Sequence, residues 1–114
     1  MGTQREPVVP HGTESTMFER FMRQQPPTFG GGTNPIEAEA WLAALEKVFD
    51  VLQYDMMERV RLAVYRLEGE ADHWWAELRA RRTPEEIGTM DWTELQEVFL
   101  RKYFPYTERV KKVT

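Results

Sequence analysis

Few side chains in this sequence could perform chemistry. It contains no cysteine, which excludes disulfides, thiolate nucleophiles and cysteine-based metal centres, and it has two histidines, His11 and His73. On a helix, Glu70 and Glu77 lie three residues before and four residues after His73, so the three side chains could share one face and bind a metal. The more ordinary interpretation is an exposed histidine with solvated carboxylate neighbours.

A phosphate-binding loop is the second possibility, because Gly30, Gly31 and Gly32 are consecutive. A nucleotide-binding loop follows a strand and carries a lysine at the start of the next helix, and both features are absent here. The glycines are better interpreted as a hinge. With no nucleophile–base pair elsewhere, we predict no catalytic residue, no metal site and no cofactor, and a protein that is not an enzyme.

Four short motifs mark helix starts, because each places a capping side chain three residues before a glutamate. They begin at Asn34, Asp55, Thr83 and Asp91. Apolar residues at helical spacing then predict helices over about 15–25, 35–52, 56–67, 70–82 and 92–104, with a single turn after Thr83. No segment shows strand alternation. We therefore predict an all-α fold, a compact bundle of about five helices.

The apolar stripes of these helices also predict the core. Its expected members are Trp41, Leu45, Phe49, Leu67, Trp74, Trp75, Trp92, Leu95 and Phe99. Adjacent helix positions point about 100° apart, so Trp74 and Trp75 are both buried only where helices lie on two sides. Replacing Trp41 or Phe49 with alanine is expected to destabilise the domain by about 3–5 kcal/mol.

Charge and hydropathy restrict the partners. The formal net charge is −4, whereas dedicated nucleic-acid binders usually carry a basic excess. Residues 37–58 hold six acids and one base, and a basic cluster follows at Arg79, Arg81 and Arg82. Such runs are ordinarily solvated faces, and the alternative is contact with an acidic surface of a neighbour. No run approaches the roughly 20 apolar residues of a membrane helix, so no membrane partner is expected.

The chain before Asn34 has a different character. Met17, Phe18, Phe21 and Met22 form the narrow apolar stripe of a short helix, which must pack on the domain or on a partner because it is marginal alone. An extended Pro- and Gly-rich stretch follows, and its Phe29 is expected to dock in a groove on the helical body. We therefore divide the chain into a flexible lead-in with this helix and linker (1–33), a helical domain (34–105) and a further helix start or tail (106–114).

The body resembles a known family. Several segments resemble, in order along the chain, the retrotransposon Gag domain of gypsy-type LTR elements, above all its plant branch. They are the opening run from Asn34 to Leu42, the segments 45–49 and 67–71, the Trp74–Trp75 pair and the ending Lys102–Pro105. The resemblance covers about Phe29 to Pro105. It implies a fold like the N-terminal lobe of a retroviral capsid protein.

The resemblance also implies a structural role. Gag copies associate with one another into a cytoplasmic virus-like particle, so the expected partner is a second copy of the chain. Gag proteins usually bind RNA through a separate, often Cys-His, segment, so nucleic acid is an unexpected partner for this part. Some host proteins derived from Gag instead bind short peptides in an aromatic groove of the equivalent lobe, which makes a peptide- or partner-binding adaptor the alternative.

The candidate interface for self-association is the apolar group that precedes the family-like body. It comprises Phe18, Phe21, Met22 and Phe29, chosen because the body offers these side chains no evident place. On this hypothesis, Phe21→Ala weakens association and leaves the stability of the domain nearly unchanged.

Overall fold

The computed structural model describes residues 12–104, which form six α-helices. Their bounds are α1 Gly12–Arg23, α2 Pro35–Leu52, α3 Met56–Tyr65, α4 Gly69–Ala80, α5 Pro84–Gly88 and α6 Trp92–Tyr103. The predicted all-α bundle is therefore confirmed, with α5 as the single turn expected after Thr83. Residues 1–11 and the predicted helix start at 106–114 lie outside the described part of the chain.

The four predicted helix starts are confirmed by their hydrogen bonds. A side-chain oxygen of each cap residue accepts a backbone N–H from the first turn of its helix; the caps are Asn34, Asp55, Thr83 and Asp91. In α5 and α6 the third residue, Glu86 and Glu94, accepts the backbone N–H of the cap in return. Because these bonds satisfy donors that a helix start leaves open, the local residues determine where α2, α3, α5 and α6 begin.

Two aromatic clusters fill the core. The first contains Phe21, Phe49, Tyr54 and Trp92, and the second contains Phe29, Trp41, Trp74, Phe99 and Tyr103. Helix α6 contributes to both clusters and packs against α2 and α3. Trp92, at the start of α6, is 1% exposed, and Phe99, two turns later, is also 1% exposed. This helix therefore joins the two halves of the core.

Gly31 lies where the extended segment passes the start of α4. Its φ is +99°, a backbone conformation that residues with a Cβ rarely adopt. A Cβ added there would stand 2.8 Å from Glu70 Oε1 and 3.1 Å from Glu70 Cβ. The backbone can therefore approach α4 this closely because residue 31 is glycine.

Candidate interaction surfaces

Helix α1 packs against the helical body, and Phe21 is part of the core. Its side chain is 0% exposed and stacks on the ring of Phe49 with centroids 5.5 Å apart. The Tyr54 hydroxyl donates a hydrogen bond to the carbonyl oxygen of Met17 at 2.7 Å, which ties α1 to the turn between α2 and α3. The prediction that Phe21 belongs to a free interface is therefore wrong, because α2 and the following turn provide a site for this ring.

Phe29 is also buried, in the second aromatic cluster. Its ring lies 5.0 Å from Tyr103 and 5.1 Å from Phe99, centroid to centroid. Its backbone forms an isolated parallel bridge beside Leu67: Phe29 N–H donates to the Arg66 carbonyl at 3.0 Å, and Glu68 N–H donates to the Phe29 carbonyl at 2.9 Å. The structure thus places Phe29 in a groove on the body, and its assignment to a free interface is wrong.

Two further hydrogen bonds hold the extended segment. Trp41 Nε1–H donates to the Pro27 carbonyl at 2.9 Å, and Arg66 Nε–H donates to the Pro26 carbonyl at 3.2 Å. Pro26 itself is fully buried. Each bond satisfies a carbonyl that lies outside regular secondary structure, so the segment is fixed on the body by backbone contacts as well as by the Phe29 ring.

Phe18 and Met22 are half-buried. The Phe18 ring meets Tyr65 edge-on with centroids 5.0 Å apart, and Met22 Sδ accepts a long contact from Arg66 at 3.9 Å. Part of each side chain reaches solvent. Of the four predicted interface residues, these two keep accessible surface, and their role in association stays a prediction.

The predicted core residues are all buried except Trp74. Trp74 is half-buried and lies edge-on to Phe99 and Tyr103, at 5.8 and 5.9 Å between centroids. Its neighbour Trp75 is 5% exposed and points toward α3. Helix α4 therefore has neighbours on two sides, as burial of the pair requires, but α6 covers only part of the Trp74 ring.

A groove between α3, α4 and α5 was not predicted from the sequence. It encloses about 310 Å³ and is lined by Met57, Val60, Arg61, Val64, Trp75, Arg79, Ile87 and Gly88. We call it the α3–α5 groove. Met57, Val60 and Val64 recur at helical spacing, which is typical of an ordinary core stripe, so periodicity gave no sign that one edge of the stripe is left open.

A second groove runs between the extended segment and α2. It measures about 390 Å³, and its lining includes Phe29, Gly31, Glu37, Trp41 and Ala44. Its aromatic walls come from the linker and from α2, so it depends on the hydrogen-bonded placement of residues 27–31.

Among residues 12–104, no three His, Asp or Glu side chains are placed to hold a metal ion, the Glu70, His73 and Glu77 face included. Burial raises the pKa of the Tyr54 and Tyr103 hydroxyls, and the Glu70 carboxylate raises that of Tyr103 further. Trp92 Nε1 and Tyr103 Oη are buried without a hydrogen-bond partner among the described residues.

None of the helices formed by residues 12–104 combines the length and hydropathy that crossing a bilayer requires.

Comparison with known protein families supports the resemblance. The family described as "Retrotransposon-derived protein PEG10, N-terminal capsid-like domain" matches residues 23–104. No curated protein and no solved structure matches the chain. The matched residues contain the extended segment and helices α2 to α6, and their all-α bundle agrees with the capsid N-lobe that the sequence resemblance implies. The chain therefore belongs to the family of retrotransposon-derived N-terminal capsid-like domains.

Proposed function

We propose that this domain is a structural subunit of a Gag-type particle and that its activity is association with further copies of itself. The observation that carries the proposal is the capsid-like family match over residues 23–104. On this proposal the protein is not an enzyme, acts in cytoplasmic particles and leaves RNA binding to other segments.

The packing of the domain supports this role. Most aromatic side chains of the described residues are buried, and α1 and the extended segment are attached by hydrogen bonds to backbone carbonyls. A shell repeats one weak contact many times, and a subunit that keeps its shape loses little conformational entropy at each contact. A rigid helical body is therefore the kind of unit from which such a shell can be built.

Sedimentation velocity across a wide range of protein concentrations tests the proposal. We expect a weight-average sedimentation coefficient that rises with concentration, because a contact of low affinity fills by mass action. A domain that stays monomeric at millimolar concentration would contradict self-association through this part of the protein.

The second candidate function, a peptide-binding adaptor, is favoured by the groove beside the extended segment. That groove has an aromatic lining from Phe29 and Trp41, and it lies along residues 27–31, where Phe29 forms a parallel bridge with Leu67. An extended peptide with an apolar side chain fits such a lining.

Tryptophan fluorescence tests this second candidate. Peptide that enters the groove is expected to change the emission of Trp41, and Ala44→Glu, which adds a charge to the groove wall, is expected to weaken the change. Ala43→Glu is the matched control, because Ala43 is exposed on the same helix and does not line the groove.

A further inference from the structure

The α3–α5 groove combines an apolar floor with a basic rim. Val60 and Trp75 form the floor and are 3% and 5% exposed, whereas Met57 on the wall is 47% exposed. Arg61 and Arg79 are exposed at the rim. Neither arginine forms an ion pair with another described residue. The groove therefore suits an apolar side chain that is flanked by carboxylates.

The same chain carries a surface of that chemistry at the corner between α2 and α3. We define the α2–α3 corner as Asp50, Val51, Asp55 and Met56, all of them exposed. Val51 is 76% exposed, more than any other large apolar side chain in the described part of the chain. Asp50 pairs with Arg59 at 3.1 Å yet remains 62% exposed, so its charge still faces solvent.

We propose that the α3–α5 groove receives the α2–α3 corner of a second copy, with Val51 in the groove and its acidic neighbours facing Arg61 and Arg79. This inference rests on the proposed self-association and names the surfaces that carry it. The charges are complementary, because the rim holds two cations and the corner two carboxylates.

The geometry of such a contact suits assembly. Where the groove and the corner of one copy engage two different neighbours, the contact is heterologous, whereas two copies that exchange both contacts with each other form a closed dimer. A heterologous contact continues into a ring or an open array, whereas a self-complementary contact closes at the dimer. A subunit of a shell needs at least one contact that does not close in this way.

Charge exchange between the two surfaces tests the proposal. Val51→Lys places a cation opposite the arginine rim, and Arg79→Glu places an acid opposite the acidic corner. Each variant is expected to weaken association by about tenfold or more in sedimentation velocity. The double variant Val51→Lys/Arg79→Glu is expected to regain much of the lost association, because the introduced ammonium of one copy attracts the introduced carboxylate of its neighbour.

Two matched controls place the same kinds of substitution on surfaces outside the groove and the corner. Ile36→Lys replaces another exposed apolar residue of α2, and Arg101→Glu reverses an exposed charge in the last turn of α6. Both are expected to associate like the wild type. Circular dichroism and thermal unfolding confirm that every variant folds.

The outcomes separate this inference from the function on which it rests. If the wild type associates and the Val51 and Arg79 variants associate equally well, the contact lies elsewhere and only the inference fails. A double variant no stronger than either single variant also overturns the inference, because the two side chains then do not meet. If the wild type does not associate at any concentration, the proposed function fails and the contact fails with it.

Discussion

One apolar surface of this domain is covered by the chain itself, and another is left open. The surface formed by Phe49, Tyr54 and Trp41 is covered by the residues that precede α2, whose Phe21 and Phe29 are buried in it. The α3–α5 groove has a similar apolar floor but no described segment of the chain covers it. Burial by the same chain serves stability, whereas an open groove leaves binding energy for another molecule.

The difference between the surfaces is in their polar groups. The covering segment is held by side chains that donate to its backbone carbonyls, as Tyr54 does to Met17 and Trp41 does to Pro27. The open groove presents guanidinium groups that have no partner among the described residues. The Tyr54 and Trp41 donors on the covered side are matched within the chain, so substitutions there act on folding and substitutions at the groove act on association.

The largest expected effect that separates the two surfaces is that of Phe21→Ala. Removing this fully buried ring leaves a cavity against Phe49 and is expected to destabilise the domain by about 3–5 kcal/mol. Met57→Ala, at the half-exposed wall of the groove, is expected to change stability by less than about 1 kcal/mol. Urea denaturation followed by far-UV circular dichroism measures both changes in stability. Equal changes would contradict the distinction between the covered surface and the open groove.

This prediction reverses the one made from the sequence, for a physical reason. Helical periodicity shows that Phe18, Phe21 and Met22 share a stripe, but it does not show what the stripe meets. Short helices with such a stripe pack on their own domain or on a partner equally well. The outcome depends on the tertiary site beside Phe49 and on the Tyr54–Met17 hydrogen bond, which joins residues 37 positions apart.

Local features were predictable because their partners are near in sequence. Asp91 and Glu94 satisfy each other's backbone groups across three residues, so α6 could be placed from its first turn. The groove was not predictable by the same reasoning. It joins Met57 to Ile87 and Arg79 across three helices, and the pattern of each helix alone is that of an ordinary core stripe.

A second substitution tests how closely the covering segment approaches the body. Gly31→Ala is expected to destabilise the domain by roughly 1–3 kcal/mol, because the backbone there has φ +99° and the new methyl group meets Glu70. Gly32→Ala is the matched control: its φ is +109°, and a Cβ there meets nothing within 4 Å. Thermal unfolding should show the larger loss for Gly31→Ala, and equal losses would mean that the contact with Glu70 contributes nothing.

A smaller effect sharpens the role of the hydrogen bond to α1. Tyr54→Phe keeps the ring beside Phe49 and removes the donor to the Met17 carbonyl, so we expect a loss of about 1 kcal/mol. Hydrogen exchange should accelerate mainly in α1, because that bond holds this helix. Tyr65→Phe is the control, since it removes an exposed hydroxyl. Uniform acceleration across all helices would show that α1 does not open separately from the body.

The smallest expected effect has the opposite sign. The Tyr103 hydroxyl is buried without a partner among the described residues, so Tyr103→Phe is expected to leave stability at pH 7 unchanged or raise it by up to about 1 kcal/mol. Burial, with help from Glu70, raises the folded-state pKa of Tyr103 above 10.0, so the folded state holds this proton more tightly than the unfolded state does. The stability linked to that proton is complete below pH 10 and falls as the pH rises above it. Tyr103→Phe should therefore flatten the loss of stability in denaturation measured between neutral and strongly alkaline pH. An alkaline slope as steep as that of the wild type would show that this hydroxyl does not titrate with unfolding.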